Sequence, residues 1–181
     1  MIELREDMQI RAMESNDVNV IFHAIEHQDI SKRLDYIARC WEENKTGQRV
    51  TLVAFYKGQF AGWLHLLSQS YYPYFQQNNI PEINNFDVIP ALRRKGIGNA
   101  LMDGIEQIAF EKYGIVGIGV GLYPSYGSAQ RIYARRGYIP DGRGISYENV
   151  IVKPGSMVRV DDELVLYMVK EAPNSSSENS K

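Results

Sequence analysis

The chain has one cysteine, Cys40, and three histidines among 181 residues. A lone thiol forms no intramolecular disulfide, and no Cys/His cluster has the spacing of a zinc site. An excess of either charge is also missing: 20 basic residues against 22 acidic ones leave a net charge of −2. A general nucleic-acid binder needs a broad basic surface, so the balance argues against that class and makes any basic cluster a local feature. Nowhere do about 18 apolar residues run together, as a membrane-crossing helix requires, and the first residues lack the apolar core of a secretory leader. These absences lead us to expect a cytoplasmic protein with no metal, no membrane and no nucleic-acid partner. No internal repeat is present. The length suits a single domain, taken as residues 1–170, with a disordered Ser- and Asn-rich tail over 171–181.

Hydrophobic periodicity orders the rest. Met8 to Met13 alternates as a strand, and Ser15, Asn16 and Asp17 offer N-caps for a helix carrying Val20, Ile21, Ala24 and Ile25. His23 and His27 lie four apart on that helix but lack a third metal ligand. Ser31 would cap a second helix with Leu34, Ile37, Ala38 and Trp41, ending near Gly47; Cys40 within it reads as a packing residue. Arg49–Tyr56 and Phe60–Leu67 are strands joined by a hairpin turn at Lys57-Gly58-Gln59. In the polar loop 68–79, Tyr71, Tyr72, Tyr74 and Phe75 either line a pocket or anchor the loop on the core.

Pro81–Val88 is a strand leading into a long helix that Gly114 stops. The buried strand Ile115–Leu122 has alternating glycines, so something approaches its backbone closely. Pro124 and Ser125 open a helix with Ala129, Ile132, Tyr133 and Arg136, and Gly137 ends it. Tyr138-Ile139 and Leu164–Val169 are closing strands, while residues 143–162 resist assignment. This order predicts an α/β domain on a mixed sheet.

The stretch from Asn84 to Leu101 carries the chemistry. A strand breaks at Pro90, passes through Arg93-Arg94-Lys95-Gly96-Ile97-Gly98, and becomes a helix with Ile97, Leu101, Gly104, Ile105 and Ile108 on one face. A helix opening on glycines presents backbone N–H groups and the positive end of its dipole, which together bind an anion. Three cationic side chains at its mouth favour a polyphosphorylated one. A P-loop would need Ser or Thr after a Gly-Lys pair, and a dinucleotide fingerprint from Gly96 would need glycine at 101, where Leu101 stands.

Arg-x-x-Gly-x-Gly after Val88-x-Pro90 resembles motif A of the GCN5-related N-acetyltransferases, the GNAT family. Ser128 to Tyr138, ending in Ala129, three residues, Tyr133, three residues, Gly137 and Tyr138, resembles the family's motif B. The element order agrees over roughly residues 8–170. The resemblance implies a mixed, splayed central sheet flanked by helices, with acetyl-CoA as co-substrate. Its pyrophosphate would rest on Arg93, Arg94, Lys95, Gly96, Ile97, Gly98 and Asn99, and its pantetheine arm on the backbone of Val88 and Ile89. The strand Gly117–Gly121 would form the other side of that cleft.

By the same resemblance, Glu82 stands where many relatives carry the base that deprotonates the acceptor amine. Asp87 is an alternative that strand alternation places on the opposite face. Tyr133 stands where relatives carry the acid that protonates the departing thiolate. The family's cofactor-binding asparagine is replaced by Tyr126, so Tyr126 or Ser128 takes over that contact or it is absent. The implied activity is transfer of acetyl to a primary amine of a small molecule or peptide; the rival is a non-catalytic acyl-CoA-binding, regulatory module. Asp161-Asp162-Glu163 and the aromatic loop suggest a cationic, partly apolar acceptor. Dimers are common in the family, so a homodimer is a further expectation. Acceptor identity is not specified by a fold.

Overall fold

The computed structural model describes residues 7–26, 28, 30 and 32–173. The helix cap expected at Ser31 and the histidine pair completed by His27 lie outside them, as do residues 174–181 of the expected tail. The described residues form two compact units, one from those up to 69 together with 82–108, the other from 70–81 and those from 109 onward.

In the first unit, strands β1 (Met8–Ala12), β2 (Arg49–Tyr56), β3 (Gln59–Leu67) and β4 (Glu82–Val88) pair in sequence order, each antiparallel to the next. The β2–β3 hairpin turns at Lys57 and Gly58, both at positive φ, as a two-residue turn matching the strand twist requires. Register puts Arg49, Thr51 and Val53 on one face with Leu67, His65 and Trp63. Helices α1 (Asp17–Ile25) and α2 (Leu34–Thr46) cover that face: Ile21, Ile25 and Ile37 share a core with Val53 and Trp63. Val20, expected on the apolar stripe of α1, is exposed; the buried stripe is Asp17, Ile21 and Ile25.

Buried Asp17 is a polar member of that stripe because both its oxygens are used. Arg11 on β1 donates to them at 2.6 and 2.8 Å, and the Glu14 N–H donates at 2.7 Å. It therefore ties the start of α1 to β1, in place of a side-chain cap from Ser15 or Asn16. Gly47, in the left-handed region at φ 74°, closes α2 as its sequence position predicts. Helix α4 (Ile97–Tyr113) lies on the other face, where a Cβ on Gly104 would sit 2.9 Å from the Leu52 side chain.

The second unit pairs β5 (Ile115–Gly121) with β8 (Leu164–Glu171), β8 with β6 (Ile139–Tyr147), and β6 with β7 (Val150–Ile151), again all antiparallel. Helices α3 (Pro73–Gln77) and α5 (Gly127–Arg135) complete it. Of the unassigned 143–162 stretch, residues 143–147 and 150–151 are therefore strand, and the remainder is turn and loop. Gly142 and Gly144 sit at positive φ inside β6, where its register against β8 shifts between Pro140 and Ile145. Glu148-Asn149, both at positive φ, make the β6–β7 turn, and Pro154-Gly155 makes a second turn, with Gly155 at φ 84°.

The loop expected at 68–79 contains α3, and its aromatics divide. Phe75 and Tyr72 are buried: Tyr72 stacks on Tyr167 at 3.8 Å between centroids, and its hydroxyl donates to Asp141 at 2.9 Å. Tyr74 lies under the Arg143 guanidinium at 3.8 Å. Only Tyr71, 76% exposed, faces solvent among the four. The loop is an anchor.

Candidate active site

Between β4 and α4 the chain makes a short 3-10 turn at Pro90–Leu92, then reaches positive φ at Arg94 (62°) and Gly96 (86°) before the helix begins. A left-handed L-residue costs about 1–2 kcal/mol, so Arg94 marks a place where backbone shape matters more than local comfort. The helix that follows offers first-turn N–H groups that a helix cannot satisfy by itself. Around this mouth the basic residues diverge. Arg93 folds back so that its Nε donates to the Val88 carbonyl at 3.3 Å, Lys95 rests over the Tyr56 ring at 5.4 Å, and Arg94 is exposed.

Gly98 has a packing reason as well. A Cβ there would lie 3.0 Å from the Phe86 ring, so its absence lets α4 seat against β4. Of the two backbone positions expected to carry a pantetheine arm, Ile89 is already committed. Its N–H donates to the Ala61 carbonyl at 2.9 Å, and its carbonyl accepts from the Leu92 N–H at 2.8 Å. Val88 is the better placed of the pair, because the Arg93 bond on its carbonyl is solvent-exposed.

Glu82, the first residue of β4, is buried at 6% exposure. Its relation to Asp87 differs from the expectation. Trp63 pairs with Asp87 and His65 with Asn84, so two β4 residues, Asn85 and Phe86, stand opposite Leu64 alone. This is a bulge, with Asn85 at φ 47°. The extra residue resets the alternation, and Asp87 lies on the same face as Glu82 and Asn84, not the opposite one. The Trp63 Nε1 donates to the Asp87 carboxylate at 3.1 Å.

On the same face the Asn44 amide donates to Thr51 Oγ1 at 2.8 Å, which bonds His65 Nδ1 at 2.7 Å. The His65 ring is fully buried, and burial, with the nearby charges of Arg49 and Lys32, pushes its pKa well below the ordinary 6.5. It is a neutral imidazole at pH 7. None of this polar face was legible from single positions; the Asn84-Asn85 pair inside a strand was the one available sign, since Asn tolerates positive φ.

In the second unit Tyr133 lies on α5 at 5% exposure, and burial pushes its hydroxyl up to about 12. It keeps its proton at neutral pH. Tyr126 is a structural prop. Its ring fills the space above Gly121, where a Cβ would lie 2.4 Å away, and its hydroxyl donates to Asp162 at 2.9 Å. Ser128 is exposed in the first turn of α5, and Gln130 uses its amide to bond the Gly121 carbonyl at 2.8 Å.

What approaches the glycine strand is this unit's own side chains, most of them aromatic. Phe75 occupies the space over Gly117, Tyr167 and Val165 that over Gly119, and Tyr126 that over Gly121. Asp162 accepts from Tyr123 and Tyr126, and Asp161 accepts from Tyr147 at 3.1 Å. Of the three carboxylates expected to select a cationic acceptor, Asp161 and Asp162 are thus engaged by tyrosines. The expected residues fall into two groups. Glu82, Val88, Ile89 and 93–99 share the β4–turn–α4 segment of the first unit, while Tyr126, Ser128 and Tyr133 share the segment after β5 in the second.

The model of the acetyltransferase (GNAT) family matches residues 17–138, more than half of the chain, and the chain belongs to that family. It is an acyltransferase, of a family whose acyl donor is acetyl-CoA. Among curated protein sequences none matches it. Solved structures agree in fold. YncA of Salmonella typhimurium, solved with its cofactor acetyl-CoA, superposes with a TM-score of 0.64 at 19% identity, over 97% of this chain and 100% of that one. The spermidine/spermine N-acetyltransferase SpeG of Vibrio cholerae gives 0.63 at 14% identity, over 91% and 92%. The ribosomal-protein-S18-alanine N-acetyltransferase of Escherichia coli gives 0.64 at 14%, over 96% and 99%. Among the described residues no helix is long and apolar enough to cross a membrane.

Proposed function

We propose that this chain, as one acetyltransferase domain over residues 1–170, moves an acetyl group from acetyl-CoA to a primary amine of a small molecule or peptide in the cytoplasm. The observation that carries the reading is the β4–turn–α4 segment, with Arg94 and Gly96 left-handed ahead of a helix N-terminus. The segment's residue types fit a diphosphate there: backbone donors, flanking cations, and Gly98 without a side chain.

In the reaction the neutral amine attacks the thioester carbonyl, an N–C bond forms and the C–S bond breaks. Glu82 accepts the amine proton, directly or through water, since a buried carboxylate on a strand is shielded from bulk solvent. Tyr133 donates its proton to the leaving thiolate. A buried carboxylate and a buried phenol favour catalysis over a module that only binds acyl-CoA. The relatives whose names specify spermidine, spermine or a ribosomal-protein-S18 alanine are N-acetyltransferases, which supports an amine acceptor here.

The test is thiol release from acetyl-CoA in the presence of polyamines, aminoglycosides, amino acids and peptides. At least one amine is expected to accelerate release well beyond hydrolysis. Glu82→Gln should make that activity depend more steeply on pH, recovering as free amine accumulates. If acetyl-CoA raises the melting temperature but no amine in the panel accelerates release, the chain is a binding module.

A further inference from the structure

The bulge in β4 is held from outside the strand. Asn85, its left-handed residue, donates from Nδ2 to the Tyr36 hydroxyl, and its Oδ1 accepts from Lys32 Nζ at 3.2 Å. Both ends of one amide are thus gripped, by helix α2 and by the residue two positions before it. Tyr36 is a fixed post: its ring meets Trp63 and His65 edge-to-face at 6.4 and 6.5 Å, and the Arg39 guanidinium lies 5.4 Å over it.

We propose that Tyr36 and Lys32 are positioning residues that hold the β4 bulge by gripping Asn85, and so keep Val88 and Asp87 in the register acetyl-CoA binding requires. The functional half of this rests on the reading above; the structural half does not. A strand has a cheaper alternative to a bulge. If Asn85 relaxes into extended backbone, β4 becomes regular and the residues beyond it exchange faces. Asp87 then leaves the Trp63 indole, and Val88 leaves the contact it makes near Gly98. Glycine takes positive φ more readily than asparagine, but it offers nothing to grip. Asparagine combines tolerance of that φ with an amide that reaches two partners.

The experiment measures acetyl-CoA affinity by calorimetry, and the Asn85 backbone φ by its three-bond HN–Hα coupling, in Tyr36→Phe, Asn85→Ala, Asn85→Gly and the Tyr36→Phe/Asn85→Gly double variant. Tyr36→Phe keeps the ring and its packing and loses only the hydroxyl. It and Asn85→Ala are expected to weaken binding about five- to twentyfold, the scale of one or two part-buried hydrogen bonds. Asn85→Gly should bind within about twofold of wild type, and adding it to Tyr36→Phe should restore affinity, because glycine holds the bulge unaided. Lys32→Met tests the second grip without touching the core, with an expected loss of about two- to fivefold.

Rescue by glycine separates positioning from general damage, which a backbone change would not repair. A Tyr36→Phe chain that binds as wild type with an unchanged coupling overturns the proposal, and so does a double variant no better than Tyr36→Phe. If wild type itself fails to bind acetyl-CoA, the cofactor reading is wrong. The coupling across the same variants then still decides whether the grip holds the bulge.

Discussion

Strands β4 and β5 both depart from an ordinary strand, and they do so in opposite ways. β4 inserts a residue. Asn85 breaks the ladder with β3, turns left-handed, and transfers everything after it to the other face. β5 keeps its ladder with β8 unbroken from Ile115 to Gly121 and instead omits side chains at Gly117, Gly119 and Gly121. Those omissions are filled by Phe75, Tyr167 and Tyr126. A bulge changes which groups face where and leaves backbone outside the ladder, at a cost in local strain. A row of glycines leaves register intact and changes only what packs above. The first device suits a site that receives a ligand, the second a core that closes on itself.

Substitutions should separate the two devices, and the largest effect is expected at the mouth of α4. Gly98→Glu places bulk and negative charge at the helix N-terminus, and we expect it to weaken acetyl-CoA binding by more than about a hundredfold. The ligand-induced rise in melting temperature should then vanish. A folded Gly98→Glu chain that binds like wild type would remove the anion site from β4–α4 altogether.

Next comes Tyr133, the one buried side chain of the second unit to which chemistry is assigned here. Tyr133→Phe should lower kcat by roughly ten- to a thousandfold while leaving acetyl-CoA affinity nearly unchanged, as loss of a positioned acid would. The same variant has a signature in stability. The folded hydroxyl titrates at about 12, above its ordinary 10, so its contribution is complete below pH 10 and is lost as pH climbs toward 12. Alkaline unfolding of the Phe variant should lack that share. A fully active Phe variant with chemistry rate-limiting would return Tyr133 to the core and leave the second unit purely structural.

At β5 the expectation is the reverse of that for Gly98. A Cβ on Gly117 would lie 2.2 Å from the Phe75 ring, so Gly117→Ala should destabilise the fold by about 1–3 kcal/mol through overpacking. Urea midpoints measure it, and Phe75→Leu in the same background should recover part of the loss. If Gly117→Ala instead leaves stability intact, the glycine row is not a set of ring sockets.

The smallest effect concerns His65 in the polar face beside β4. Its depressed pKa means that the unfolded chain takes up a proton near pH 6.5 while the folded one does not. Stability is therefore complete above pH 6.5 and falls progressively below it. Unfolding midpoints from pH 8 to 5 should show the decline in wild type and a flatter profile in His65→Gln.

Local features of this chain are those its sequence determines by itself. The hairpin at Lys57-Gly58, the cap at Gly47, and the strand, basic turn and helix from Glu82 onward depend on residues a few positions apart, so spacing reveals them. The two family motifs are local in the same sense, which is why the family was legible before any fold was. What only the tertiary structure decided are choices made between distant segments. Asp87 shares a face with Glu82 because β3 offers one residue against two of β4, a count that no single strand contains. The glycines of β5 predicted a close neighbour, but which neighbour depended on rings arriving from residues 75, 126 and 167. That Tyr126 bonds Asp162, and Tyr147 bonds Asp161, was likewise settled only by long-range pairing. Backbone conformation answers to nearest neighbours, whereas the partner of a buried polar group or the filling of an omitted side chain is chosen by packing, where sequence separation carries no information.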